Sequence, residues 1–493
     1  MSIINKGFSA TCLVLAQILL LGFAASAQEG VEATIKISSN TSASVEGRLL
    51  KRRIGASSLN WTFLNSVAGA GNLGARISEF NLADEENRAV SARKLTDGEY
   101  LAGAQAVKFN YQINLQPLQN TAAMAHVSWL ASEKGLLMLG DMLPQFAENN
   151  QPITWRIKFQ LPADWVIISN EKKSVENVFE VNNIKRIIFG IGKNWREEKI
   201  QIAGSNLNLA ISGEWQFSDA EALTMTGAIY ETYQKMFGET PTKTAQIFLV
   251  RFPKEIKFGR WTAETRGANV TILSADMPFK SQSAQRLHEQ MRHEIFHLWM
   301  PNNLALTGNY DWFYEGFTVY QALRTGVSMN QIRFDDYLAT IAEAYNLDRL
   351  QTGKSSLLES SQNRWSQGNN QVYARGMLAA FLCDITLLRA SSGKRSISTI
   401  FQEIYQKYRI PNKPEDGNTA ILNRLKNYSE LNQTIEKYIV GREKINWETD
   451  LESIGIELNE DNLVVKAKLN GKQKDLLNKL GYNNWRKVSG KRR

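Results

Sequence analysis

One pentad, His293-Glu294-Ile295-Phe296-His297, constrains this 493-residue chain more than any other feature. Residues four apart on an α-helix differ by about 40° in direction and about 6 Å in height, so both imidazoles face one point. Two nitrogens so arranged suit a single tetrahedral zinc ion. Glu294 lies beside them, close enough to act on a water rather than to bind the metal. Leu287, Met291, Ile295 and Leu298 recur at helical spacing, which predicts a helix from about Ser283 to Met300 that stops at Pro301. The chain has four histidines and two fall in this pentad; the bland alternative is a surface helix that carries them without purpose. A reactive zinc site needs a third protein ligand and one open position. Seventeen residues separate His297 from Glu315, enough for a turn over 301–309 and a return on a second helix starting near Asp311. Glu315 is therefore the expected third ligand. Trp312, Phe313 and Phe317 bury its face, which ordinary core packing also explains.

The hydrophobic period divides the rest of the chain. Val107, Phe109, Tyr111, Ile113 and Leu115 alternate with polar residues, as do Ile153, Trp155, Ile157, Phe159 and Leu161. Period two means half-buried strands, so residues 28–217 are expected to form an antiparallel β-rich domain. At Ser218 the period changes. Ser218 and Glu221 make a capping-box pair, and Ala222, Met225, Ile229, Tyr233 and Met236 follow helical spacing up to Gly238. Ile247 to Val250 and Val270 to Leu273 read as short strands. Residues 218–327 are thus an α/β unit around the zinc motif, residues 328–445 a helical region that completes the site, and residues 446–493 a mixed tail. The fold class is α+β and multidomain.

The first residues read as an export signal: Lys6, an apolar run from Cys12 to Phe23, and the small-x-small site Ala25-Ser26-Ala27. The expectation is a signal peptide over 1–27 and a periplasmic or extracellular protein with no transmembrane segment in the mature chain; the rival is an uncleaved anchor. Cleavage leaves Cys383 as the one thiol, set among Phe381, Leu382 and Ile385 like a buried hydrophobe rather than a nucleophile. With no disulfide, stability rests on core size, which 43% hydrophobic residues in a chain this long supply. The net charge of +9 is scattered apart from Arg486-Lys487 and Lys491-Arg492-Arg493, a solvated tail or a contact with an anionic surface. Basic and aromatic residues do not interleave, so nucleic acid is not an expected partner.

The stretch His293-Glu294-Ile295-Phe296-His297-Leu298-Trp299, with Asn302 and then Trp312-Phe313-Tyr314-Glu315-Gly316-Phe317-Thr318-Val319-Tyr320, resembles the gluzincin metallopeptidases. Among them it is similar to the aminopeptidase N family and the related glycyl aminopeptidase family. The former usually has one more residue between the second histidine and the glutamate, and the latter usually ends in a PDZ domain for which the tail here is too short. The resemblance covers roughly residues 218–409. It implies a thermolysin-like catalytic domain, one zinc per chain held by His293, His297 and Glu315, and Glu294 as the general base. Val372-Tyr373-Ala374-Arg375-Gly376 resembles the family's Tyr-x-Lys-Gly segment, with arginine for lysine, and implies that Tyr373 stabilises an oxyanion; otherwise it is a half-buried helix tyrosine. Thr262-Ala263-Glu264-Thr265-Arg266-Gly267 stands where the family carries Gly-x-Met-Glu-Asn. The resemblance makes Glu264 the candidate grip on a substrate's free amine, the alternative being a solvated loop carboxylate.

The expected activity is zinc-dependent hydrolysis of a peptide or protein substrate from its amino terminus. Two alternatives stay open: a zinc endopeptidase, and a peptide- or glycan-binding envelope protein with a vestigial catalytic domain. Oligomeric state is not legible.

Overall fold

A computed structural model describes residues 30–50, 58–146, 153–351 and 355–484. The expected signal peptide and the basic end of the tail lie outside the described residues.

Period-two alternation builds the first half. β1 (Gly30–Ser39) and β2 (Ser42–Leu49) form an antiparallel hairpin, and β2 pairs antiparallel with β3 (Lys108–Asn114). Phe109, Tyr111 and Ile113 of β3 are buried, as are Trp155, Ile157 and Phe159 of β4 (Thr154–Gln160). The eight-stranded sheet departs from the expected antiparallel plan at one pairing, where β1 runs parallel to β4. A parallel pair needs a long crossover, and the intervening strands supply it.

A mixed sheet of five strands comes next: β5 (Arg196–Ile202), β6 (Ser205–Ser212), β7 (Thr244–Arg251), β8 (Trp261–Arg266) and β9 (Asn269–Ser274), in the order β5-β6-β7-β9-β8. β6, β7 and β9 are mutually parallel, with β5 and β8 as antiparallel edges. This sheet reaches back to Arg196, not to the period change at Ser218. Two strands before that change belong to it, and their alternation carries no mark of which sheet they join. α1 (Asp219–Phe237) crosses from β6 to β7. Its Ser218 side chain accepts from the Glu221 amide, Glu221 accepts from the Ser218 amide, and Gly238 ends it with φ 81°, the conformation glycine adopts without strain.

Helices form the other side. α2 (Lys280–Phe296) packs on α1 and on α3 (Thr318–Ser328), followed by α4 (Phe334–Leu350), α5 (Gly376–Ala390) and α6 (Ile397–Tyr408). One continuous apolar core joins β6 and β7, these helices and the tail, where Leu451, Ile454, Leu476 and Leu477 are buried with the rest. Cys383 is buried in α5. Among the described residues one helix, Gln371–Ala390, is long and apolar enough to cross a membrane, and it is buried inside the protein. The architecture is α+β and multidomain, with an N-terminal β half, a mixed sheet with its helices, and a C-terminal helical region.

Candidate metal centre and catalytic site

α2 delivers the pentad as its spacing requires. His293, Glu294 and His297 are all buried, His297 capping the helix just after its last residue, Phe296. Glu315 arrives on a π-helical turn, Trp312–Phe317, that runs into α3; such widened turns recur at functional sites. A second π-turn, Gln371–Arg375, leads into α5 and carries Tyr373. The two turns meet through glycine: a Cβ on Gly316 would lie 2.5 Å from the Val372 carbonyl oxygen and 2.6 Å from the Gly376 Cα. That close approach brings Tyr373 onto Glu315.

His293, His297 and Glu315 converge on one point, with their ligand atoms within 4.8 Å of one another. Nε2 of His293 and Nε2 of His297 are 3.0 Å apart, and Oε2 of Glu315 lies 3.2 Å from the first and 3.6 Å from the second. Ligands of a tetrahedral zinc with bonds of about 2.0–2.1 Å stand about 3.3 Å apart, so the trio fits that ion. The tautomer fits as well. His297 Nδ1 donates to the Met300 carbonyl at 2.8 Å, which leaves the Nε2 lone pair facing the trio. Burial disfavours a charged His297, yet Glu315 and Glu294 outweigh it and push the ring up to about 9. The point between these side chains favours a cation.

Around the trio the polar groups are fixed. Glu294 Oε2 accepts from the Thr265 hydroxyl at 2.8 Å, while Oε1 stands 4.0 Å from His293 Nε2. Burial raises the Glu294 carboxyl above its ordinary range. Tyr373 donates from its hydroxyl to Glu315 Oε2 at 3.0 Å, and burial together with the charge of Glu315 pushes that phenol well up. Asn302 clamps the loop after α2 to the end of β8, accepting from the Gly267 amide at 2.7 Å and donating to the Thr265 carbonyl at 2.8 Å.

Sequence reasoning missed Arg364. It is buried and touches three residues of the site: Nη1 is 3.0 Å from Glu315 Oε1 and 2.7 Å from Asp311 Oδ1, and Nη2 donates to the Tyr373 hydroxyl at 2.6 Å. Burial works against ionised Glu315, but Arg364 and the two histidines hold its carboxyl well below the usual range. His126 was missed too. It comes from the β half to bind Glu264, which also lies 3.6 Å from Arg266. Burial opposes the charge on Glu264, and His126 and Arg266 overcome it, holding the carboxyl at about 2. Glu264 lines the cavity as a paired carboxylate rather than a solvated one. All these groups line a cavity of about 1100 Å³.

No family model matches the chain, and no curated protein matches it by sequence. Solved structures do. An aminopeptidase N family protein from Idiomarina loihiensis superposes with a TM-score of 0.72 at 16% identity, covering 86% of this chain and 78% of its own. The chain has the fold of the aminopeptidase N family structures. An M1 zinc metallopeptidase from Deinococcus radiodurans, solved as a mutant bound to a Tyr-Ser-Ala substrate, matches at TM-score 0.56 and 14% identity, over 85% of this chain and 94% of its own. The same peptidase without that peptide gives 0.55 at 15% over the same shares. The resemblance carried by residues 293–320 therefore holds at the level of the fold.

Proposed function

We propose that this chain is a zinc-dependent peptidase that holds one zinc per chain through His293, His297 and Glu315 and removes residues from the amino terminus of peptides. The observation that carries this reading is the convergence of the three ligand atoms with Glu294 and Tyr373 on one cavity. When bound, zinc supplies a Lewis acid that acidifies water and polarises a scissile carbonyl. Glu294 takes the proton from the attacking water on Oε1, because Thr265 already occupies Oε2, and returns it to the departing amine. The Tyr373 hydroxyl turns from Glu315 to the carbonyl oxygen as charge builds there, and Arg364 steadies both.

Glu264 is the group that reads the substrate's amine in this account. A second reading, a zinc endopeptidase, gains support because His126 and Arg266 already occupy that carboxylate. Peptides with free and acetylated amino termini separate the two: an aminopeptidase cuts the free form alone, and an endopeptidase cuts both. Export rests on residues 1–27. Signal-peptide processing is tested by the amino-terminal sequence of the mature protein, expected to begin at Gln28.

A further inference from the structure

Four arginines line the cavity: Arg266, Arg286, Arg292 and Arg364. Three of them have a carboxylate. Arg266 lies 3.6 Å from Glu264, Arg286 lies 2.7 Å from Glu289, and Arg364 binds Asp311 and Glu315. Arg292 has none among the described residues, although it is only 4% exposed. Its one side-chain hydrogen bond runs from Nη1 to Nδ1 of His288, at 2.6 Å, and its Nε is buried with no partner.

That arrangement is costly on its own. A guanidinium stays charged at any ordinary pH, and a buried charge is paired or pays a desolvation penalty. His288 cannot neutralise it: burial, then the charge of Arg292 itself, lower the ring to about 3, so it stands as a neutral acceptor. Glu289, whose charge reaches Arg292, is half exposed and already bound to Arg286. The guanidinium lies over Gly326 of α3, where a Cβ would come within 2.8 Å of Cζ and Nη1. Ile332 meets the same Gly326, and Val319 and Leu323 line the cavity beside polar Gln331, Thr340 and Asp336, the last paired with Arg333; burial at Arg292 strengthens a charge-assisted pair formed there. Arg292 lines the same cavity as His293, His297 and Glu315.

We infer that Arg292, oriented by His288, is a binding site for a carboxylate of the bound peptide. This rests on the peptidase reading and names its substrate class: peptides that bring an anion to this wall. The carboxylate comes either from the C-terminus of a di- or tripeptide or from an acidic side chain of a longer one. The chemistry is the same, and the test separates the sources.

The test is calorimetric binding to zinc-loaded Glu294→Gln protein, in which the proposed base is removed so that peptide persists. The probes are Leu-Ala, Leu-Ala amide, and the amidated tetrapeptides Leu-Glu-Ala-Ala and Leu-Gln-Ala-Ala. One charge-assisted pair predicts that the free acid, or the Glu peptide, binds about ten- to a hundred-fold tighter than its uncharged counterpart. Preference for Leu-Ala over its amide assigns the C-terminus; preference for Glu over Gln assigns a side chain. The added substitution Arg292→Met is expected to bring the ratio near one, and Arg292→Lys to keep part of it. Equal affinities in the protein that retains Arg292 overturn the site, and this comparison stands even where Arg292→Met does not fold. Leucine amide hydrolysis by the unsubstituted protein reports on the peptidase reading separately. Turnover without carboxylate preference overturns the anion site alone, whereas no turnover and no peptide binding overturn both.

Discussion

Arg364 donates from Nη2 to the hydroxyl of Tyr373 at 2.6 Å, and its Nη1 lies 3.0 Å from Oε1 of Glu315, the oxygen turned away from the histidine pair. A single rigid fork thus fixes Glu315 and Tyr373 together. Replacing it by Arg364→Met removes both supports. We expect kcat to fall by about 10²–10³ and zinc to bind about 10–100-fold more weakly. Arg364→Lys is expected to recover part of the metal affinity but little of kcat, since a point charge cannot hold two partners in fixed geometry. Steady-state kinetics beside competition with a chromophoric chelator measures both. Unchanged kcat and unchanged metal affinity in Arg364→Met would refute the assignment.

Glu294 is buried beside His293 and His297 and touches Thr265 rather than the point on which the trio converges. Glu294→Gln keeps the shape and removes the basicity. The variant is expected to retain zinc in equal amount by elemental analysis and to lose about 10²–10⁴ in kcat. Near-normal turnover with zinc bound would remove Glu294 from the proton-transfer role.

What the sequence discloses follows how local each relationship is. His293, Glu294 and His297 sit on one helix, so spacing alone orients them, and Glu315 follows from a helical return of suitable length. Ser218, Glu221 and Gly238 mark the ends of α1 because caps are local chemistry. Arg364 carries no such mark. It lies on a short π-turn, Arg364–Gly368, with no apolar period, and it meets Glu315 and Tyr373 from two other turns that Gly316 and Gly376 let close together. His126 comes from the β half, and nothing near it in sequence points to Glu264. The strands β5 and β6 join the sheet of β7 although they precede the period change at Ser218, for a similar reason. Alternation tells which face is buried but not which neighbour covers it.

Glu264 offers a test by pH. Its carboxyl is held at about 2 in the folded chain against an ordinary 4.5. A depressed folded pKa contributes stability that is complete above the unfolded value and is lost as pH falls through the folded one. The difference in urea midpoint between the unsubstituted protein and Glu264→Gln is therefore expected to be largest near pH 7 and to shrink between about 4.5 and 2. A gap constant across that window would mean that His126 and Arg266 do not hold the carboxylate.

The helical side depends on another buried acid. Asp384 of α5 is fully buried, accepts from the Tyr320 hydroxyl at 2.6 Å and the Ile397 amide at 2.8 Å, and lies 3.3 Å from Nη1 of Arg324. Asp384→Ala takes from the largely buried Arg324 the carboxylate that faces it and is expected to cost about 3 kcal/mol of unfolding free energy. Chemical denaturation measures it. A loss below about 1 kcal/mol, within the reach of a surface pair, would contradict the structural role.

His293, His297 and Glu315 are expected to hold a zinc ion that the hydrolysis of peptides requires. The most direct test strips metal from the protein with a chelator, removes the chelator, and titrates zinc back while following hydrolysis of leucine amide. No turnover is expected at the start, then a linear rise and saturation at one zinc per chain, with the rise abolished in Glu315→Ala. Turnover that persists without metal, or none at any zinc concentration on free or acetylated peptides, would contradict it.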